Sequence, residues 1–544
     1  MHKDSVRSFF DMLLLPTKSS SFLYLVLLNV ISNIAYTIYA NSPIALFSMV
    51  VLAAFTAYCE MLIYCFIPWK RIKRLWLILL PIFHNILIIT DYFLYYKFHI
   101  VLGQDVVDIL AETNFVEAEN FLATYTSPSV LILWILALLL LNLVIVGLVW
   151  LIKHVSYEWP AVVCSFMGSC VMVLCAYNFF IYRNGLAIPQ YQTPTRLGYS
   201  IYVLYQRMQG IKEMGNLSQE VRACSKIKDK PTVVVVIGES YSIYHSSLFG
   251  YEKATTPLLQ KRVDEGSLFI FDNAVSVSCF THKAMESVFF LDSLGHGKGG
   301  YPFAACFKAA GYKTALYDNQ YFVGNGVTFL SDESLSELLY DKRNTKRYQY
   351  DMGMVDDMDF SNIPSLIIFH LWGQHYEYSQ RYPEKFRVFT ANDYDHNRWT
   401  EEQREIIAHY DNATRYNDFV VDQIFQHVQN QNSCVVYFSD HGEEIYEHGN
   451  FGGHGNAEHS KGFCNQIRVP LMVWLSPTFY RPELKEKLNA ARHVPIMTDD
   501  LPHFLLDIAG IETDDFAPTR SFINDRYNVG KPRIVLHSID YDKR

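Results

Sequence analysis

The chain has 544 residues, enough for two or more domains, and half of it is hydrophobic with 15% aromatic residues, a balance that puts part of it in lipid. Its 46 lysines and arginines against 55 acids give a formal charge of −9, which excludes the basic face of a nucleic-acid binder. Its ten cysteines form no CxxC pair, which argues against a thiolate zinc site.

A bilayer core takes about 20 apolar residues per helix, and five stretches qualify: 22–40, 44–67, 75–96, 130–152 and 161–182. No small-residue cleavage site follows the first, so it reads as a retained helix. Lys70, Arg71, Lys73 and Arg74 lie between the second and third stretches, and Lys153 follows the fourth. The loop before the fourth carries Asp105, Asp108, Glu112, Glu117 and Glu119 and no lysine or arginine. By the positive-inside rule the amino terminus and basic loops are cytoplasmic, and an odd number of helices leaves the rest of the chain outside. His84, Asn85 and Asp91 are polar groups within the third stretch, where a partner or cavity is expected; for Asp91, near the membrane edge, a structural role is expected. A proline-containing bridge follows, with a mildly amphipathic aromatic run over 197–214 suited to a membrane surface.

The soluble part opens on PTVVVVIGES. Val233 to Ile237 are β-branched and apolar without alternation, the pattern of a strand buried on both faces of a parallel sheet. Ligands bind beyond the carboxyl ends of such strands, so Glu239 is the first candidate for chemistry. Three more apolar runs discharge into polar groups: TALYDNQ into Asp318 and Asn319, SLIIFHLWGQH into His370 and His375, and CVVYFSDHGEE into Asp440, His441, Glu443 and Glu444. Four such tips on one rim gather carboxylates and imidazoles, the ligand set of a divalent ion such as zinc or manganese. Taken singly, an Asp-His after a strand is more often a cap or turn; the coincidence of several argues for a site.

Alternating helices and strands continue, with a long helix near 401–426 and a last strand at VPLMVWLS, which predicts a parallel sheet covered by helices on both faces. Thr281, in SVSCFT before an apolar helix, is placed both to cap that helix and to face an anion at its free amides; spacing alone favours the cap. The glycine-rich HGNFGGHGNAEHSKGF offers His448, His454 and His459 as acid–base groups.

These motifs resemble a known family, the membrane-bound phosphoethanolamine transferases of Gram-negative envelopes, within the alkaline phosphatase and sulfatase superfamily. GESYSIYHSSLFGYEKATTP is similar to the family's GES/GET…GYxxxTTP opening, NAVSVSCFT to the loop of its threonine nucleophile, and FHLWGQHYEYSQRYP to HxxGxHxxYxxRYP. YDNATRYND is similar to YDNAxxYND, and YFSDHGEEIYEHG to SDHGE. The second glutamate of DHGEE looks closer to the enzymes that decorate lipopolysaccharide core sugars. The resemblance implies a transmembrane domain of five helices over 1–182, a bridging segment over 183–230, and a periplasmic alkaline-phosphatase-like α/β domain over 231–544. It implies a zinc site, with manganese as the other candidate, at Glu239, Thr281, Asp440 and His441, and phosphoryl contacts from His375 and His454. Thr113 and Glu117 match loop positions linked to the lipid head group, while His370 and His459 are further substrate-binding candidates. The lysine found after DNN in colistin-resistance members is absent where this chain has Gly324 and Asn325, and Cys279 has no nearby cysteine to pair with.

The activity so implied is transfer of phosphoethanolamine from phosphatidylethanolamine to a glycolipid, lipid A or lipopolysaccharide core, through a phospho-threonine, at the inner membrane. A phosphoglycerol transferase or a hydrolase keeps the fold and changes the reaction; the C/S-x-P-x-R context of a sulfatase is missing around Cys279 and Thr281. A non-catalytic receptor with a degenerate enzyme domain would be expected to have lost a ligand, yet all four residues are in place.

Overall fold

The computed structural model describes residues 15–40, 43–98, 100–113, 118, 127–155, 192–218, 220–291, 301–320, 332–344, 346–358, 365–455, 461–479, 481, 483–536 and 538–544. They fall into two compact units, Met1–Gln206 and Arg207–Arg544. The expected span 161–182, together with Glu117, Gly324, Asn325 and His459, lies outside the described residues.

Among the described residues of the first unit, four helices are long and apolar enough to cross a membrane: Ser20–Ala40, Met49–Phe66, Lys70–Phe98 and Ser129–Ile152. The fourth turns Leu131, Leu139, Leu143 and Trp150 outward, a surface that suits hydrocarbon rather than water. Phe22, Leu25 and Leu28 of the first pack with Ala57, Met61, Ile88 and Ile145 of the others. Several buried polar groups within this unit pair with one another, which offsets the cost of burying them. His84 Nε2 is 2.8 Å from Glu60 Oε1. Asp91 accepts from Leu102 N at 2.6 Å, Thr193 Oγ1 at 2.8 Å and Arg196 Nη2 at 2.6 Å. Its role is thus the structural one expected: it moors the start of the Thr193–Ser218 helix, whose Tyr199, Ile201, Tyr202 and Tyr205 are exposed.

The second unit is built on seven strands: β1 Thr232–Gly238, β2 Leu268–Phe271, β3 Lys313–Asp318, β4 Lys342–Arg343, β5 Ser365–His370, β6 Ser433–Ser439 and β7 Leu471–Leu475. Their order across the sheet is β2-β7-β6-β1-β5-β3-β4. β1 is buried along its whole length. Val233, Val235 and Ile237 join one core with Phe303, Phe307 and Leu505, while Val234 and Val236 join another with Val420, Val421 and Phe425 of the Glu401–Val428 helix. Two apolar layers explain why the run does not alternate. β1 pairs in parallel with β5 and β6, and β3 in parallel with β5 and β4. The sheet departs from the expected all-parallel arrangement at β7, which runs antiparallel to β6 and to β2. β6 ends at Ser439 and β7 begins at Leu471 opposite Phe438, so both meet the same rim and β7 runs back beside β6.

Candidate active site

The register of the sheet assembles the rim. Gly238 of β1 is paired with Ser439 of β6, so the residues that follow, Glu239 and Asp440, emerge side by side, with His441 next. All three are buried. Ser240 bends the chain at once with a φ of 54°, a left-handed conformation that costs a non-glycine residue, and donates its N–H to Asp440 Oδ1 at 3.2 Å. Gly373, φ 49°, lies so close that a Cβ there would stand 2.9 Å from Glu239 N, and Gln374 N donates to Glu239 O at 3.0 Å.

Thr281 begins the Thr281–Phe289 helix without capping it; the preceding residue is Phe280, which makes no side-chain cap. This corrects the capping expectation. The hydroxyl turns to the rim instead, 3.5 Å from Glu239 Oε2 and 3.4 Å from His441 Nε2. His441 Nε2 is 3.3 Å from both Glu239 Oε1 and Asp440 Oδ2.

These distances test whether the residues fit zinc. Four oxygen and nitrogen ligands placed tetrahedrally about 2.0–2.1 Å from an ion lie about 3.3–3.4 Å from one another, close to the spacings found here. His441 Nδ1 donates to Gly442 O at 2.8 Å, which turns the Nε2 lone pair of a neutral ring toward two carboxylates. Asp440 Oδ2 is buried without a hydrogen-bond partner among the described residues. Acceptors facing one another repel, and a cation or a proton between them removes the conflict. The same conflict shows in the ionisation. Burial and the neighbouring Glu239 push Asp440 up to about 7. Burial works to lower His441, yet Asp440 and Glu239 push it up to about 10. Burial opposes ionisation of Glu239, but the His441 hydrogen bond and the charges of His441, His375 and His454 hold its carboxyl well below the usual range. The donor set therefore fits a divalent ion that Glu239, Asp440 and His441 could hold, with the Thr281 hydroxyl 3.4–3.5 Å from two of them.

A second layer surrounds these groups. The His454 ring lies 4.1 Å from the His441 ring, centroid to centroid, and its Nδ1 is 2.8 Å from Glu443 Oε2. His454 is carried there by a short hairpin in which Glu444–Ile445 pairs with Gly452–Gly453. His375 is only partly exposed and its Nδ1 has no partner among the described residues; burial pulls it down to about 4 against Glu239, with Arg381 adding to the fall. His370 is buried beneath the rim, with Nδ1 3.2 Å from Asp318 Oδ1, and so occupies a supporting position. Thr113 belongs to the first unit, where its hydroxyl donates to Ile109 O at 2.7 Å at the end of the Gln104–Glu112 helix. Three contributors are not singled out by the sequence reading. Gln320 Nε2 donates to Glu239 Oε2 at 3.1 Å, Tyr378 Oη to Glu443 Oε1 at 2.7 Å, and Tyr410 Oη to Ser240 O at 2.6 Å. The tyrosines lie within the motifs around His375 and Asp411; nothing local marks their hydroxyls.

The chain is similar to known proteins over most of its length. The chain is 26% identical over 496 residues to the phosphoethanolamine transferase EptC of Escherichia coli K12, covering 82% of this chain and 83% of that protein. The solved zinc complex of the C-terminal periplasmic domain of E. coli EptC superposes with a TM-score of 0.52 at 28% identity, covering 60% of this chain and 94% of that one. The integral membrane lipooligosaccharide phosphoethanolamine transferase A of Neisseria meningitidis shares the fold at 19% identity, with a TM-score of 0.58 over 93% of this chain and 98% of that one. Residues 231–511, more than half the sequence, match the sulfatase family. With the metal-fitting rim at the tips of its central strands, the chain belongs to the sulfatase family.

Proposed function

We propose that the protein transfers phosphoethanolamine from phosphatidylethanolamine to a glycolipid acceptor, lipid A or lipopolysaccharide core, through a phosphate ester on Thr281. The observation that carries this reading is the Thr281 hydroxyl, uncommitted to capping and 3.4–3.5 Å from His441 and Glu239. The likeness to a phosphoethanolamine transferase over 82% of the chain supports the group transferred. Helices apolar enough to enter the bilayer support a lipid donor and acceptor, with the soluble unit in the periplasm.

Zinc, when bound at Glu239, Asp440 and His441, supplies the positive charge that lowers the pKa of the neighbouring hydroxyl. The Thr281 hydroxyl passes its proton to the enzyme and its oxygen attacks the donor phosphorus, the bond from phosphorus to the diacylglycerol oxygen breaks, and that oxygen takes up a proton. An acceptor hydroxyl or phosphate oxygen then attacks the same phosphorus, the bond to Thr281 breaks, and the acceptor's proton passes to the enzyme. His375, an uncharged ring in its buried setting, and His454 contact the phosphoryl oxygens and carry these protons. The free amides opening the Thr281–Phe289 helix favour the same anion.

Mass spectrometry of envelope glycolipids from cells producing the wild type or Thr281→Ala tests the proposal. An added phosphoethanolamine mass in the wild type alone is the expected result; equal modification by both removes Thr281 from the reaction.

A further inference from the structure

We infer that Gln320 and Ser240 are positioning residues for the metal-binding carboxylate of Glu239, a pair of neutral donors with one on each oxygen. Gln320 Nε2 donates to Glu239 Oε2 at 3.1 Å and also to the carbonyl oxygen of Leu371, at the end of β5. Both amide hydrogens are thereby used, and because each partner is an acceptor, the nitrogen and not the oxygen of the amide must face Glu239. The residue is 6% exposed, so its side chain is held where it stands. Its own backbone N–H is tied to Asp318 Oδ1 at 2.9 Å, beyond the tip of β3.

Ser240 takes the other oxygen. Its Oγ donates to Glu239 Oε1 at 2.8 Å, while its N–H reaches Asp440 Oδ1 at 3.2 Å, so one residue touches both acidic ligands. The left-handed backbone that makes this double reach available is clamped from the Glu401–Val428 helix. Tyr410 Oη donates to Ser240 O at 2.6 Å and accepts from Ser242 N at 2.7 Å.

Neutrality is the point of the pair. A lysine or arginine in either place would satisfy Glu239 with its own charge and compete with the cation; a carboxylate would repel it. An amide and a hydroxyl fix the plane of the ligand and leave its charge for the metal, the usual task of groups behind a metal ligand.

The inference rests on the zinc reading above, and one experiment separates the two. The full chain in detergent micelles is stripped with chelator, and zinc affinity is read by competition with a colorimetric chelator for the wild type, Gln320→Ala, Gln320→Glu and Ser240→Ala. Gln320→Ala and Ser240→Ala are expected to bind zinc about 10–100-fold more weakly, and Gln320→Glu more weakly than Gln320→Ala, all with a metal-free apparent Tm like that of the wild type. Wild-type affinity in both alanine variants overturns the inference. So does unchanged affinity in Gln320→Ala with a raised KM for donor lipid, which makes Gln320 a substrate contact. A wild type that binds no zinc overturns the underlying reading instead. Should Gln320→Ala fail to fold, Ser240→Ala decides alone: weakened zinc binding upholds the inference and wild-type affinity overturns it.

Discussion

His454 Nδ1 lies 2.8 Å from Glu443 Oε2, and the other oxygen of that carboxylate accepts from Tyr378 Oη at 2.7 Å. The carboxylate is buried and satisfied on both sides, so it holds the imidazole in one orientation and one tautomer, with Nε2 left for proton transfer. Glu443→Gln is expected to lower kcat about 10–100-fold, the range seen when groups behind a catalytic or metal ligand are changed, with little change in KM. Tyr378→Phe should lower it less. Steady-state transfer from a labelled donor lipid measures both; a rise in KM at constant kcat would make Glu443 a substrate contact.

If Thr281 carries the transferred group, protein quenched during turnover should gain the mass of one phosphoethanolamine, and the gain should vanish in Thr281→Ala. Thr281→Ser keeps an oxygen at the same branch point and should retain a slower version of the reaction. Intact-protein mass spectrometry with peptide mapping locates the adduct.

Metal bound to the folded rim stabilises the protein by mass action, by about 2.7 kcal/mol at a free metal concentration one hundred times Kd. Chelation is therefore expected to lower the apparent Tm and added zinc to restore it. In Asp440→Asn the difference between chelated and zinc-loaded protein should shrink, because one of the facing carboxylates has gone.

A pH dependence arises away from the metal ligands. His245 Nδ1 is 2.6 Å from Asp411 Oδ1 and its Nε2 is 3.0 Å from Glu447 Oε1. Burial works to lower its pKa, but these two acids push it up to about 10; burial opposes the ionisation of Glu447, yet His245 draws it down to about 2. The histidine's contribution is complete below its unfolded pKa, near 6.5, and is lost as pH climbs through the folded value. The glutamate's is complete above about 4.5 and is lost as pH falls toward the folded value. Stability from this pair is thus greatest between about pH 4.5 and 6.5. Thermal unfolding of chelated protein from pH 6 to 10 should show a steeper decline for the wild type than for His245→Asn; parallel curves would contradict the assignment.

In the first unit, Asp91 and Arg196 are both buried and 2.6 Å apart. Removing one partner of such a pair strands the other, typically at about 3–5 kcal/mol. Arg196→Met alone should therefore lower the apparent Tm in detergent sharply, and Asp91→Asn with Arg196→Met should recover part of the loss.

The strand tips are legible in the sequence because an unbroken run such as Val233 to Ile237 has only one comfortable setting, between two apolar layers, and whatever follows it must emerge at an edge. Direction is another matter. LMVWL reads alike forwards and backwards, so hydropathy cannot tell that β7 runs against β6. Spacing likewise does not distinguish the residue before a helix from the first residue within it, which is why Thr281 reads as a cap until its hydroxyl is seen facing Glu239. Gln320 is hidden by its neighbours. Asp318 and Asn319 carry the charge and the turn propensity, yet Asn319 is occupied with Asp351 at 3.0 Å and with Tyr348 N at 2.8 Å, and the uncharged glutamine reaches the acid. The pairing of Glu443 with His454 depends on a hairpin of two-residue strands, too short to leave a period in the sequence.

The return of β7 beside β6 has an evolutionary reading. Phe438 and Leu471, on either side of residues 440–470, are neighbouring hydrogen-bonded positions, so added length between them leaves the central sheet in register and costs the entropy of a longer loop, about 0.6 kcal/mol for each doubling. Asp440, His441, Glu443 and His454 therefore travel on one detour from the sheet, which a lineage can lengthen between them without unpicking the strands beneath.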